Sequence, residues 1–416
     1  MTCNFISQLS RLRKQSAESV ENTKAFNTFK EYLHVERQVE IELRSLLKMV
    51  NKNQDKCLVL LCGSAGDGKS HLISYLKNSD SECLLEDFET YNDATESSEP
   101  TLTSIDTLAI KLSAFNDDNY SVQDGKKMII AINLGTLNNF IDSEKGKAFS
   151  HLKEYVEKNG IFSGYTKLPE YQEGSVFQHI SFSDYQVFSL NEAGIKTTYL
   201  EKLFKKIFQK SSNNPFYNAY LQSSNCPKNN RCPVRHNYEF LMDETHQKAV
   251  IKRIVEAVLM NKSIVSTRDV LNLVYDLLVH PDFDEMKIGI GTSDTQYITN
   301  YIRWTTPMLL NENEDVSILL NAIRSHDILK SRDAASDENA TRFHSLENIK
   351  NEFEQATQNT PYSVLNTLTD LSQLGKKIEL KKIIYKFIVR LEDINGQIPN
   401  AKYIRRNIDI YNKNKH

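Results

Sequence analysis

Eight consecutive residues, GSAGDGKS at 63–70, carry the clearest chemistry in the chain. Their spacing is G-x-x-x-x-G-K-S, in which a glycine-rich turn feeds a helix. Gly63, Gly66 and Gly68 let the backbone turn tightly enough for successive N–H groups to converge on an anion. A helix opening near Lys69 adds the positive end of its dipole. Lys69 is long enough to reach β- and γ-phosphates, and the Ser70 hydroxyl can hold Mg²⁺. Gly63, Ser64, Ala65, Gly66, Asp67, Gly68, Lys69, Ser70 and His71 are therefore the candidate segment for a nucleoside triphosphate. Flanking elements fit: CLVLLCG (57–63) reads as a buried strand and HLISYLKN as an amphipathic helix.

Such a site needs further groups on neighbouring strands. A carboxylate must hold the hydrated cation, and the nearest candidate is Asp93 in FETYNDATES (88–97). Glu96 is a candidate to polarise water, and Asp184, after VFQHISF, is a rival farther along the chain. Each of these acids can equally be a solvated loop acid or a helix cap. Asn133 ends the apolar run MIIAI, at the carboxyl edge where ligands bind in open parallel sheets. Its amide can face a γ-phosphate or the attacking water, or simply make a turn before Gly135. Arg268, in STRDVLNLVYDLL, opens a helix from which a guanidinium can fold onto a γ-phosphate; a surface arginine at a helix start would look the same.

The elements that position these groups follow from apolar periodicity. Residues 1–52 read as an N-terminal helical segment, with Phe26, Phe29, Leu33, Val39, Leu43, Leu46, Leu47 and Val50 at helical spacing. Residues 53–192 alternate strand and helix: CLVLLCG, then the helix after the glycine turn, then TLTSIDTLAIKLSAF as a helix following Pro100. KKMIIAINLG (126–135) and VFQHISF (176–182) are the next strands. That rhythm predicts a parallel α/β sheet. Residues 193–284 read as helical, with stripes at Leu200, Leu203, Phe204, Ile207 and Phe208, and at Val250, Ile251, Ile254, Val255 and Val258. A third helix begins near Thr267 and stops before Pro281. Residues 285–416 form a mixed, mostly helical region with a basic end.

Composition limits the class. Across 416 residues, 40% are hydrophobic and 25% charged, which fits a globular protein and excludes a disordered chain. A net charge of −3 excludes a histone-like wrapper while leaving room for a local basic patch. From 375 to 416 there are eleven Lys or Arg against four Asp or Glu, a local +7. In KKIELKKIIYKFIVR (376–390) one face can pack while Lys and Arg reach DNA phosphates; a solvated helix face is the plain alternative. Six scattered cysteines suggest reduced thiols, and no apolar stretch approaches the ~20 residues of a membrane span. With no signal-peptide pattern at the N-terminus, the expectation is a cytoplasmic protein without a membrane partner. Cys226, Cys232 and His236 lie within eleven residues, but the gap of five between the cysteines and the missing fourth ligand argue against structural zinc.

These pieces resemble the AAA+ branch of P-loop ATPases, an α/β core followed by a helical lid. The resemblance makes GSAGDGKS the phosphate loop, Asn133 a polar sensor on the fourth strand and Arg268, in STR, a second sensor. The chain departs where that family places an apolar strand ending in adjacent Asp-Glu, since Asp93 is followed by Ala94. Arg231, Arg235 and Arg303 are the candidates for a trans-acting arginine. LCGSAGDGKSHLISYL, YNDATES, AINLGTLNNFI and NPFYNAYL…CP…CPVRHNYEFL, in that order, are also similar to the F-component (DptF) family of bacterial DNA phosphorothioation-dependent restriction systems. The similarity spans about residues 5–400. It implies ATP with Mg²⁺, ATP hydrolysis, antiviral defence, and the G and H components as partners. DNA would be contacted directly or through them, and homo-oligomers are allowed. Two alternatives stay open: a nucleotide-gated assembly module with negligible turnover, and an AAA+ protein-remodelling ATPase unrelated to DNA.

Overall fold

The computed structural model describes residues 3–13, 28–53, 55–92, 103–122, 124–162, 171–191, 194–261, 264–284, 294–312, 317–330, 334–368 and 377–396. The chain forms a mixed α/β fold with an N-terminal helical region, a central parallel sheet of four strands and a mainly helical C-terminal region. It divides into a sheet unit (Val20–Ser189 with Ser266–Arg268) and a helical unit (Met1–Ser19, Leu190–Val265 and Asp269–His416).

In chain order, α1 (Asn4–Ser10) belongs to the helical unit, and α2 (Thr28–Leu33) and α3 (Gln38–Lys52) lead into β1 (Cys57–Gly63). Then come α4 (Lys69–Asn78), β2 (Phe88–Tyr91), α5 (Ser104–Lys111), β3 (Lys127–Asn133), α6 (Leu134–Ile141), α7 (Ser150–Lys158) and β4 (Phe177–Ser181). The sheet order is β2-β3-β1-β4, with every pairing parallel. The three apolar runs expected as strands are β1, β3 and β4. The helix expected after Pro100 is α5, at whose start Thr103 and Asp106 close a reciprocal capping box.

The sheet is buried on both faces, which is why β1 and β3 read as continuous apolar runs. Successive side chains point to opposite faces. Leu58, Leu60, Cys62, Met128, Ile130 and Ile132 pack with Leu108, Leu137, Phe140 and Leu152 from α5, α6 and α7. Val59, Leu61, Ile129 and Ala131 pack on the other face with Val39, Leu43, Leu47, Leu72 and Leu76 from α3 and α4. The N-terminal helical pattern is thus interrupted: α3 lies on the sheet, and residues 34–37 between α2 and α3 are not helical.

The helical unit holds α8 (Thr198–Phe208), α9 (Pro215–Gln222), α10 (Pro233–Leu241), α11 (Glu244–Asn261), all but the first two residues of α12 (Thr267–Leu278), and α13 (Asp294–Arg303). It continues with α14 (Thr306–Glu312), α15 (Ile318–Arg324), α16 (Ala334–Ser345), α17 (Lys350–Thr357) and α18 (Ile378–Ile394). The expected stripe of α8 is buried in full. Asn237 is the polar hub of this core: its amide donates to the Leu278 and Trp304 carbonyls, and its oxygen accepts from Thr306 N and the Tyr362 hydroxyl. A buried amide with all its partners fixes one packing arrangement.

On β4, the buried His179 places Nδ1 2.9 Å from the Tyr155 hydroxyl, while its Nε2 has no partner among the described residues. Burial lowers its pKa to about 4. The unfolded chain then binds this proton near pH 6.5 and the folded one only near 4, so stability falls as pH drops through that window. At its acid end the loss reaches about 3 kcal/mol. His179→Gln is expected to flatten the pH dependence of chemical unfolding between pH 6.5 and 4; an unchanged slope contradicts this.

Candidate functional site

Two parallel pairings aim the site. From β1 the chain crosses to β2 at the sheet edge, returns to β3 beside β1, and then passes to β4 on the other flank. The carboxyl end of β1 is therefore a switch point, where an open parallel sheet leaves a crevice. Gly63 ends β1 directly opposite Asn133, the last residue of β3. The loop 64–68 leaves from that point, and α4 begins at Lys69.

The loop needs glycine at two turns. Gly66 has φ +86° and Gly68 φ +100°, in the left-handed region that other residues avoid. Gly68 is the N-cap of α4 and has no side chain to occupy the helix's first amides. Gly66 is also tightly covered. A Cβ there would lie 3.1 Å from Ser266 Oγ and 3.3 Å from Arg268 Cβ. Ser266–Arg268 belongs to the sheet unit, and the start of the Arg268 side chain lies against the glycine loop.

Lys69 is nearly buried, and its Nζ donates to the Ser64 carbonyl at 2.6 Å and to Asn133 Oδ1 at 3.0 Å. Two candidates 64 residues apart are thereby joined by one hydrogen bond. Ser70 Oγ donates to the Asn92 carbonyl at 2.8 Å. That contact brings the end of β2 to the hydroxyl expected to hold a cation; Asp93 and Glu96 lie outside the described residues. Asp67 folds back so that its Oδ2 accepts from Ser64 N at 2.5 Å, a side-chain brace inside the loop. Ser64 and Ala65 are exposed at the loop's tip.

His71, a member of the candidate segment, sets its imidazole 3.2 Å from His34 Nδ1, and His34 Nε2 is 3.0 Å from the Glu40 carboxylate. Burial, reinforced by His34, lowers the His71 pKa to about 4. His71 is thus neutral at physiological pH. Asp184 follows β4 and affects the buried Cys62 thiol together with Lys69; burial dominates there and pushes that thiol up to about 12.

The other predicted groups lie in the helical unit. His236 is buried with Nδ1 2.7 Å from the Tyr301 hydroxyl; Cys226 is exposed and Cys232 half-buried in a loop of two 3₁₀ turns. Among the described residues, no group of three or more His, Cys, Asp or Glu is arranged to hold a metal ion. Arg235 is engaged by the Tyr220 carbonyl, Ser223 and Glu239, Arg231 lies over the Tyr297 ring, and Arg303 ends α13. In α18, Lys381 donates to the carbonyls of His344 and Leu346, and Arg390 pairs with Asp327 and Glu312. Lys381 and Arg390 thus turn inward to carbonyls and acids, while Lys382 and Lys386 of the same helix are exposed. Among the described residues, no helix is long and apolar enough to cross a membrane.

Arg37 and His34 were not legible as site residues. Within HVERQVEIELRSLL they resemble the polar entry to an amphipathic helix, and no spacing links them to a loop thirty residues on. Comparisons with protein-family models, curated proteins and solved structures return no match.

Gly66→Ala forces both backbone strain and a shift of Ser266 or Arg268. At about 1–2 kcal/mol for the left-handed conformation alone, it should weaken the nucleoside-triphosphate binding proposed below at least about tenfold. Gly135→Ala, with open space around its Cβ, is the control and should bind normally. Equal affinities in the two variants would contradict this account of the loop.

Proposed function

We propose that this chain is the ATP-binding and ATP-hydrolysing component of a bacterial DNA phosphorothioation-dependent restriction complex, built on an AAA+-type core and acting with the G and H components. The observation that carries the nucleotide half is the Lys69–Asn133 hydrogen bond at the end of paired strands β1 and β3. It joins a phosphate-reaching ammonium to a strand-end amide at the point where the loop begins. The AAA+ reading is further supported by the sheet order, with β3 between β1 and β2, and by Arg268 Cβ beside Gly66. The restriction role rests on the ordered sequence segments similar to the F-component family.

In this reading the loop amides and Lys69 take the phosphate charge, and Asn133 keeps the ammonium directed at the carboxyl edge of the sheet. Gly66 and Gly68 hold the left-handed turns of the loop, a backbone shape whose amides suit a polyphosphate. Ser70 offers a hard oxygen beside the Asn92 carbonyl, a donor set suited to Mg²⁺, and Asp93 follows directly in sequence. When bound, Mg²⁺ would neutralise charge across the phosphates. Arg268, starting against Gly66, would report the nucleotide state to the rest of α12.

A second reading, a nucleotide-gated module with negligible turnover, is favoured by β2. This strand is only FETY and carries no adjacent Asp-Glu pair at its end. Steady-state ATP hydrolysis separates the two, with Lys69→Ala as the blank and matched modified and unmodified duplexes added. Turnover above the blank that responds to DNA is expected. Turnover indifferent to DNA moves sensing to a partner, and binding without turnover selects the gated module. No ATP binding at all rejects both.

A further inference from the structure

We infer that Arg37 is a positioning residue for the phosphate loop, acting from a short non-helical strap, His34–Arg37, between α2 and α3. The inference rests on the nucleotide-binding reading above and adds a group that the loop motif does not contain. Arg37 Nη1 donates to the Asp67 carbonyl at 3.0 Å, and Nη2 donates to the Tyr185 carbonyl at 2.7 Å. The guanidinium carbon lies 5.1 Å from the centre of the Phe182 ring. One planar fork therefore bridges the loop after β1 and the turn after β4, and a point-charged lysine does not reproduce that geometry.

The bonded carbonyl is well placed to set the loop's polarity. It belongs to the peptide joining Asp67 to Gly68, and a trans peptide points its N–H opposite to its C=O. Holding the Asp67 oxygen on Arg37 fixes the Gly68 N–H in the other direction. A peptide next to a left-handed glycine turns over at little steric cost, so this orientation needs a holder. The strap's other end is anchored as well. His34 meets His71 and Glu40, and its ring stacks 3.5 Å from that of Tyr75. Residues 67 and 71, the two anchorage points, bracket Lys69 and Ser70. The strap thus clamps both sides of the residues that would receive the phosphates, so that less ordering remains to be done when ligand arrives.

The test measures binding of a fluorescent ATP analogue to the full chain and to Arg37→Ala, Arg37→Lys and Lys69→Ala. Arg37→Ala should lose at least about tenfold in affinity, the loss of a charge-assisted hydrogen bond. Arg37→Lys should fall between Arg37→Ala and the unsubstituted chain. Millimolar guanidinium should restore binding to Arg37→Ala and leave Lys69→Ala unchanged, a recovery that general damage to the fold would not give. Affinity of Arg37→Ala within about twofold of the unsubstituted protein, or a loss that guanidinium does not recover, overturns the inference. If the unsubstituted chain itself binds no better than Lys69→Ala, the nucleotide reading fails, and the positioning role with it.

Discussion

A lysine ammonium held almost out of water at the end of a buried strand is the constraint around which the sheet unit is arranged. Taking a charge from water is costly unless oxygens replace the lost hydration. For Lys69 the Ser64 carbonyl and the Asn133 amide oxygen are among those replacements, and both are neutral. This requires β3 to end level with β1, and the parallel register meets the requirement by setting Asn133 opposite Gly63.

That register is secured far from the site. β1 and β3 send alternate residues into two separate cores, so a slip of one residue would exchange every side chain between them. α3 and α4 cover one face, which brings the N-terminal strap within reach of the loop. The same packing that stabilises the sheet thus delivers Arg37 to Asp67 and His34 to His71.

The parts of this architecture visible in the sequence are those with local signatures. β1, β3 and β4 are short apolar runs bounded by turn residues, the loop has fixed spacing, and Asn133 is marked by its place at a strand end. β2 is harder to read because FETY is an edge strand with Glu89 exposed and Thr90 and Tyr91 only partly covered. The break at 34–37 escapes periodicity because apolar residues recur on both sides of it. Arg268 is marked by its place at the start of a helix, but its approach to Gly66 depends on chain folding across some two hundred residues. The inward turn of Lys381 and Arg390 is similarly a tertiary effect, set by carbonyls and acids that no window around 376–390 contains.

The most direct test of the central claim is a double-mutant cycle on Lys69 and Asn133, with Lys69→Met, Asn133→Leu and the double variant compared for ATP affinity and turnover. Residues that act as one unit lose less together than the sum of their separate losses. The account predicts such coupling, of about 1 kcal/mol or more, with the double variant scarcely worse than Lys69→Met alone. Strictly additive losses would contradict it, showing that Asn133 does not work through the lysine it holds.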